Sequence, residues 1–207
     1  SAFIQRALAS GDFKTEAGAM LTSFGAPRVT TERLLLVGIG NGSAAKVRKA
    51  VAAAVNHCKR GPANALTLSF AADATPEAAE AAVAAASDAV YQYTATKGKS
   101  KEASANKSAL KKLVLGVPDA AVVRAAFAQA LGVAQGVEFA REWANRPANH
   151  ATPTMLAEAA QKLAKAPHVS CEVLGPKDVA KLGMGAFQAV AQGSSEELRF
   201  IVLRYQG

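Results

Sequence analysis

Aromatic residues make up only 6% of this chain, cysteine occurs twice and tryptophan once. So few aromatics beside so much alanine argue against an all-β sandwich and for helices packed on a sheet. The two cysteines, Cys58 and Cys171, stand 113 positions apart, which excludes the tightly spaced framework of a small secreted domain. They read as reduced, buried thiols of a cytosolic protein. No run approaches the roughly 18 apolar residues of a membrane span. No signal peptide opens the chain, and Ser1 is not read as the native start.

What is present suffices for a real core: 207 residues, half of them apolar. The net charge of +8 is uneven, with 15 Lys/Arg against 8 Asp/Glu in residues 1–118 and 9 against 8 in residues 119–207. The basic excess belongs to the first part of the chain.

Arg33 to Gly40 is a continuous apolar run ending in glycines, the pattern of a strand buried on both faces. After the Asn41-Gly42-Ser43 turn, Ser43 caps a helix expected from Ala44 to Lys59, and Gly61-Pro62 stops it. Asn64 to Ala71 reads as the next strand, and Thr75-Pro76-Glu77 opens a helix to about Tyr91. Leu110 to Val117 reads as a further strand and Ala17 to Phe24 as a weaker one. The expected class is α/β, with a mixed, mostly parallel sheet flanked by helices.

From Asp119 a long helical period places Val123, Phe127, Leu131, Ala134 and Val137 three or four apart. It must end before Pro147. Thr152-Pro153 starts another helix, followed by a strand over Val169–Leu174, a short helix over Pro176–Leu182, a strand over Phe187–Gln192 and a strand over Phe200–Tyr205. This second α/β unit reads as incomplete, because so few elements bury little surface. The expected organisation is an α/β domain over 1–118, a connector helix over 119–146 and a second unit over 147–207.

Candidate chemistry is sparse. Gly38-Ile-Gly40-Asn-Gly42 sits between a strand and a helix, but a dinucleotide fingerprint needs its third glycine where Ser43 stands and an acid near Pro62. A tight turn is the better reading. Gly98-Lys99-Ser100 lacks the upstream glycine of a phosphate loop, that position being Tyr93. His57, His150 and His168 are scattered, and the His57-Cys58 neighbours point about 100° apart on a helix, so they chelate poorly. Glu138/Glu142 and Glu196-Glu197 read as solvated pairs, and Asp119, Glu158 and Asp178 are dispersed. Asn145-Arg-Pro-Ala-Asn149-His-Ala-Thr-Pro153 reads as a structural corner whose Asn side chains satisfy backbone groups freed between helices. No residue of the chain is assigned a catalytic, cofactor or metal role. The basic segment Lys97, Lys99, Lys101, Lys107, Lys111 and Lys112 against Glu102 carries +5. It is a solvated loop by default and a weak, unspecific phosphate surface otherwise, with Tyr91 and Tyr93 the only rings near enough to stack.

Glu138-Phe-Ala-Arg-Glu-Trp-Ala-Asn-Arg-Pro-Ala-Asn-His-Ala-Thr-Pro153, Leu182-Gly-Met-Gly-Ala-Phe-Gln-Ala-Val-Ala-Gln-Gly-Ser194 and Arg199-Phe-Ile-Val-Leu-Arg-Tyr-Gln-Gly207 closely resemble the leucyl (cytosol) aminopeptidase family. The resemblance implies the end of that family's N-terminal domain, its interdomain helix and the first part of its catalytic domain. Residues 1–13 would then begin inside the family's first helix, and the chain is expected to be a fragment cut at both ends. The family implies a cytoplasmic, homo-oligomeric (hexameric) hydrolase that removes N-terminal residues, leucine among them. Two divalent ions, zinc or manganese, activate a bridging water and polarise the scissile carbonyl in such a site. The Gly-Lys-Gly…Asp-Thr-Gly-Gly and Asn-Thr-Asp-Ala-Glu-Gly-Arg strings that carry those roles are absent here, so this chain alone is expected to bind no metal pair. Trp143 departs from the smaller aliphatic residue usual at its position, with helix packing the expected consequence. The alternative is an N-terminal assembly module that contacts nucleic acid through the lysine segment; some family members bind DNA through surfaces that include this domain.

Overall fold

The computed structural model describes residues 2–26, 29–96 and 110–207. They fall into two compact units, Ser1–Arg141 and Glu142–Gly207.

The first unit opens with α1 (Ala2–Ala9) and an antiparallel pair, β1 (Met20–Phe24) and β2 (Arg33–Val37), with Met20 opposite Val37 and Phe24 opposite Arg33. Helix α2 (Ala44–Cys58) follows, then β3 (Ala65–Ser69), α3 (Pro76–Val90) and β4 (Lys112–Gly116). β3 and β4 pair in parallel, Ala65 opposite Lys112 and Ser69 opposite Gly116. Parallel strands need a crossover, and α3 supplies it. The start of α3 is fixed by Thr75, whose Oγ1 accepts from the Ala78 N–H at 3.2 Å, and by Pro76 at the first helical position.

The core lies between α2 and α3. Val47, Val51 and Val55 recur every four residues on α2 and meet Ala78, Ala81, Ala82, Ala85 and Ala86 of α3, while Leu66, Leu68, Phe70 and Leu115 close the cluster from the strands. A smaller cluster of Ala74, Ala79 and Val123 seats the start of α4 (Ala120–Ala144), which Asp119 caps by accepting from the Ala121 N–H at 2.8 Å. Asp88 on α3 binds both Arg48 of α2, at 3.4 Å, and Arg141 of α4, at 2.9 Å.

By length and composition α4 could cross a membrane, although the sequence holds no unbroken apolar run. Alanine and valine raise its average while Arg124, Gln129 and Glu138 interrupt it. Its Val123, Ala126 and Ala130 are buried, and Arg141 pairs with Asp88 of α3.

In the second unit, a single 3-10 turn (Ala148–His150) leads to α5 (Pro153–Leu163), β5 (Val169–Leu174), α6 (Pro176–Lys181), α7 (Gly185–Ala191) and β6 (Phe200–Tyr205). Ala157, Ala159 and Ala160 of α5 are buried, and α5 packs on β5 and β6. β5 and β6 pair antiparallel, Leu174 opposite Phe200, because α6 and α7 fold on each other and return the chain to the strand end it left. Val179 of α6 is fully buried.

The α/β class and nearly every expected element are present. In place of one mostly parallel sheet, the described residues form three two-stranded sheets, one parallel and two antiparallel. The strand expected over Phe187–Gln192 is instead helix α7. Ala186, Ala189 and Ala191 favour helix, and the Gln188 N–H donates to the Met184 carbonyl at 3.1 Å. Phe187 then meets Phe200 edge to face, with ring centroids 5.5 Å apart, while Val190 stays 87% exposed.

Gly38 is a place where a side chain has no room. A Cβ there would run into the carbonyl oxygens of Glu16 and Lys14, both backbone atoms that cannot swing away. Gly38→Ala is therefore expected to cost about 2–3 kcal/mol, read as a lowered urea midpoint at unchanged slope. A midpoint within error of the parent's would show that residues 14–16 shift freely.

Candidate functional site

The glycine turn after β2 resolves into a backbone clasp. Gly38 N–H donates to Ala19 at 2.8 Å, Gly18 N–H to Gly38 at 2.9 Å, and Gly40 N–H to the Thr15 carbonyl at 2.8 Å. Gly40 and Gly42 hold φ of 59° and 74°, a region that favours glycine. The glycines thus serve contact with residues 14–19, as the tight-turn reading holds.

The acids singled out in the sequence are spread over separate structural duties. Asp119 caps α4, and Asp178 caps α6 by accepting from the Gly175 N–H at 3.2 Å. Glu197 pairs with Arg199 at 2.8 Å, and Glu172 pairs with Arg204 across β5–β6 at 3.3 Å. Glu138 and Glu158 are exposed on helices, and Glu142 is engaged. Among the described residues no group of three or more His, Cys, Asp or Glu comes together to hold a metal ion.

The histidines are equally separate. His57 is exposed on α2, and His150 closes the 3-10 turn with its N–H on the Pro147 carbonyl at 2.8 Å. His168 adopts φ 63° just before β5, and its carbonyl accepts from Gln206 at 2.9 Å. Both cysteines are free and half-buried rather than fully buried. Burial pushes the Cys58 thiol up, and the nearby Arg33 guanidinium only partly opposes this, which favours the neutral thiol.

The corner between α4 and α5 is built mainly by backbone. Arg146 N–H donates to Trp143 at 3.3 Å, Ala151 N–H to Ala148 at 3.2 Å, and Thr152 Oγ1 accepts from the Met155 N–H at 3.3 Å. Asn145 is engaged, whereas Asn149 is exposed and makes no hydrogen bond among the described residues. The expectation that both asparagines satisfy freed backbone groups therefore gives way to turn bonds plus Thr152. Trp143 also does more than pack: the Arg146 guanidinium lies 4.1 Å from its ring centroid.

Lys97, Lys99, Lys101 and Lys107 lie outside the described residues. Lys111 and Lys112 are exposed at the start of β4, and both N–H groups donate to the Asn64 carbonyl, at 2.7 and 3.2 Å. The tyrosines offer little to a base: Tyr91 lies under Arg141 at 5.4 Å, and Tyr93 hydroxyl takes a hydrogen bond from Thr96 at 3.0 Å.

Two family profiles match this chain in series. The cytosol aminopeptidase family, N-terminal domain, matches residues 1–100, and the cytosol aminopeptidase family, catalytic domain, matches residues 138–207. A probable cytosol aminopeptidase of Polaromonas sp. strain JS666 is 48% identical over 209 residues, covering 100% of this chain and 40% of that protein. The corresponding protein of Variovorax paradoxus strain S110 is 51% identical over 207 residues, with the same two coverages of 100% and 40%. Among solved structures, the bottromycin maturation enzyme BotP in complex with Mn aligns with TM-score 0.77 at 28% identity, over 100% of this chain and 42% of that one. A tomato leucine aminopeptidase mutant aligns with TM-score 0.76 at 26% identity, over 98% and 41%. The chain thus spans about 40% of the length of the curated relatives it matches.

Thr152 carries the entry into α5, so Thr152→Ala should lower stability by about 1 kcal/mol and speed amide exchange in the first turn of that helix. Unchanged exchange at Met155 would show that Pro153 alone sets the helix start.

Proposed function

The chain belongs to the cytosol aminopeptidase family, and on that premise we propose that it is the N-terminal portion of a dinuclear-metal leucyl aminopeptidase. The observation that carries the proposal is the order of the two matches, N-terminal domain then catalytic domain, along one chain about half identical to its curated relatives. Within it we assign residues 1–118 to the N-terminal α/β domain, 119–146 to the interdomain helix and 147–207 to the opening of the catalytic domain. The sustained helical period from Asp119 and the corner at Pro147 support that division. The whole protein is proposed to act on peptides in the cytoplasm as a homo-oligomer, hexameric by family resemblance. Its metals are proposed to be zinc or manganese, and the manganese complex of the bottromycin enzyme supports the latter.

The residues described here do not fit such a metal pair. Two ions about 3.5–4 Å apart require several oxygen or nitrogen donors around one point on rigid elements. In this chain Asp119 and Asp178 serve helix caps, while Asp88, Glu172 and Glu197 are held by arginines. No catalytic step is therefore derived from these side chains, and the donor set is assigned to the part of the family's catalytic domain beyond the match.

The test compares the 207-residue chain with the whole gene product in leucine-amide hydrolysis, each with added zinc or manganese and metal analysis. Turnover and two tightly held ions are expected for the whole protein and neither for the chain. Turnover by the chain alone at the whole protein's rate would place the active centre within these residues.

A second reading rests on the exposed Lys111 and Lys112 and on the basic excess of residues 1–118: the N-terminal domain holds nucleic acid as a sequence-indifferent module. Changing Lys97, Lys99 and Lys101 together to Ala should then flatten the salt dependence of binding by about one logarithmic unit per contacting lysine removed. An unchanged slope returns the segment to solvated surface.

A further inference from the structure

Helices α3 and α4 come together around Ala79 and Val123 and are tied again where Arg141 reaches Asp88, at 2.9 Å. Between these two points they leave an open groove of about 1000 Å³ within the first unit. That is the upper end of the size at which proteins hold drug-sized ligands and short peptides. Its floor is small and apolar, with Ala81 and Ala84 on α3 facing Val133 and Val137 on α4. Val133 is 58% exposed and Val137 40%, so an apolar helix face is uncovered there.

The charges around this floor are not balanced. The groove's two arginines, Arg48 and Arg141, are both taken up by Asp88. Glu77 is turned back on its own helix start, where a hydrogen bond from its own N–H and then one with the Thr75 side chain hold its carboxyl below the usual range. Glu80 and Glu138 remain on opposite walls with no ion pair or hydrogen bond among the described residues. In a chain of net charge +8, this apolar trough is thus lined by two carboxylates that no cation pairs among the described residues.

We propose that the groove between α3 and α4 docks short peptide segments that combine aliphatic side chains with a basic group. Aliphatic side chains match the alanine and valine floor, and a lysine or arginine reaches Glu80 or Glu138. An acidic or nucleic-acid occupant would meet the wrong charge. The site is remote in kind from peptide hydrolysis, and the inference does not depend on the aminopeptidase reading.

The test uses the 207-residue chain and acetyl-Leu-Ala-Leu-Lys-amide, whose blocked amine prevents it from serving as an exopeptidase substrate. Saturable amide shifts are expected at Ala84, Val133 and Val137, with acetyl-Leu-Ala-Leu-Glu-amide giving far smaller ones. The double variant Glu80→Gln/Glu138→Gln removes both candidate partners of the single lysine; it should keep the parent melting curve and bind the lysine peptide about two- to fivefold more weakly, one solvent-screened pair being lost. Val133→Ser should weaken both peptides alike. Three results would overturn the proposal: no shifts at millimolar peptide, equal affinity for the glutamate peptide, or groove shifts that depend on protein concentration without peptide. The last would make the groove an interface between copies of this chain.

Discussion

Alanine sets the distance between α2 and α3, and most of the first unit depends on that distance. Val47, Val51 and Val55 present branched side chains at every fourth position, and the buried residues that meet them on α3 are all alanine. Ridges of valine can then settle into shallow alanine grooves, which brings the helix axes close and removes water from the whole contact. Each buried valine contributes about 1.5–3 kcal/mol by area removed from water, whereas a buried alanine contributes chiefly by allowing the approach. With α3 fixed over α2, β3 and β4 are held on one side of it, and the parallel pairing of those strands follows from where α3 returns the chain.

That arrangement accounts for what could be read from the residues in advance. Periodicity located α2, α3 and α4 because their buried faces repeat every three or four positions, and Thr75-Pro76 and Thr152-Pro153 marked helix starts through chemistry local to four residues. Phe187–Gln192 misled for a physical reason. Those six residues carry no decisive period, and their helical state is supported by the turn at Gly183, with φ 68°, and by Phe200, 13 positions beyond Phe187. Strand direction was also beyond the local pattern. A parallel and an antiparallel strand show the same alternation, and only the path of the connection separates them.

Chemistry was legible in a different way. The family-specific string Asn145–Pro153 pointed to identity through its pattern, yet in the folded chain it makes a corner of turn bonds and a threonine cap. Its distinctiveness reflects the demands of ending one helix and starting another within eight residues, with Trp143 stacking Arg146 at that join. The groove between α3 and α4 gave no sequence signal at all. Glu80 and Glu138 lie 58 positions apart, and only the divergence of two helices puts them across one trough.

Asp88 explains why that trough has a closed end. It sits in the last turn of α3, where unsatisfied carbonyls make a carboxylate unwelcome. A lone aspartate there would weaken the helix end, and Arg48 and Arg141 offset this from two sides, at 3.4 and 2.9 Å. Each pair is 41–55% solvent-exposed and contributes at most about 1 kcal/mol. Their importance is geometric, since one carboxylate shared by two guanidiniums ties α2, α3 and α4 at a single point. Tyr91 beneath Arg141 restricts that guanidinium further. The same knot takes up both arginines that line the groove, so among the described residues Glu80 and Glu138 have no cation paired with them.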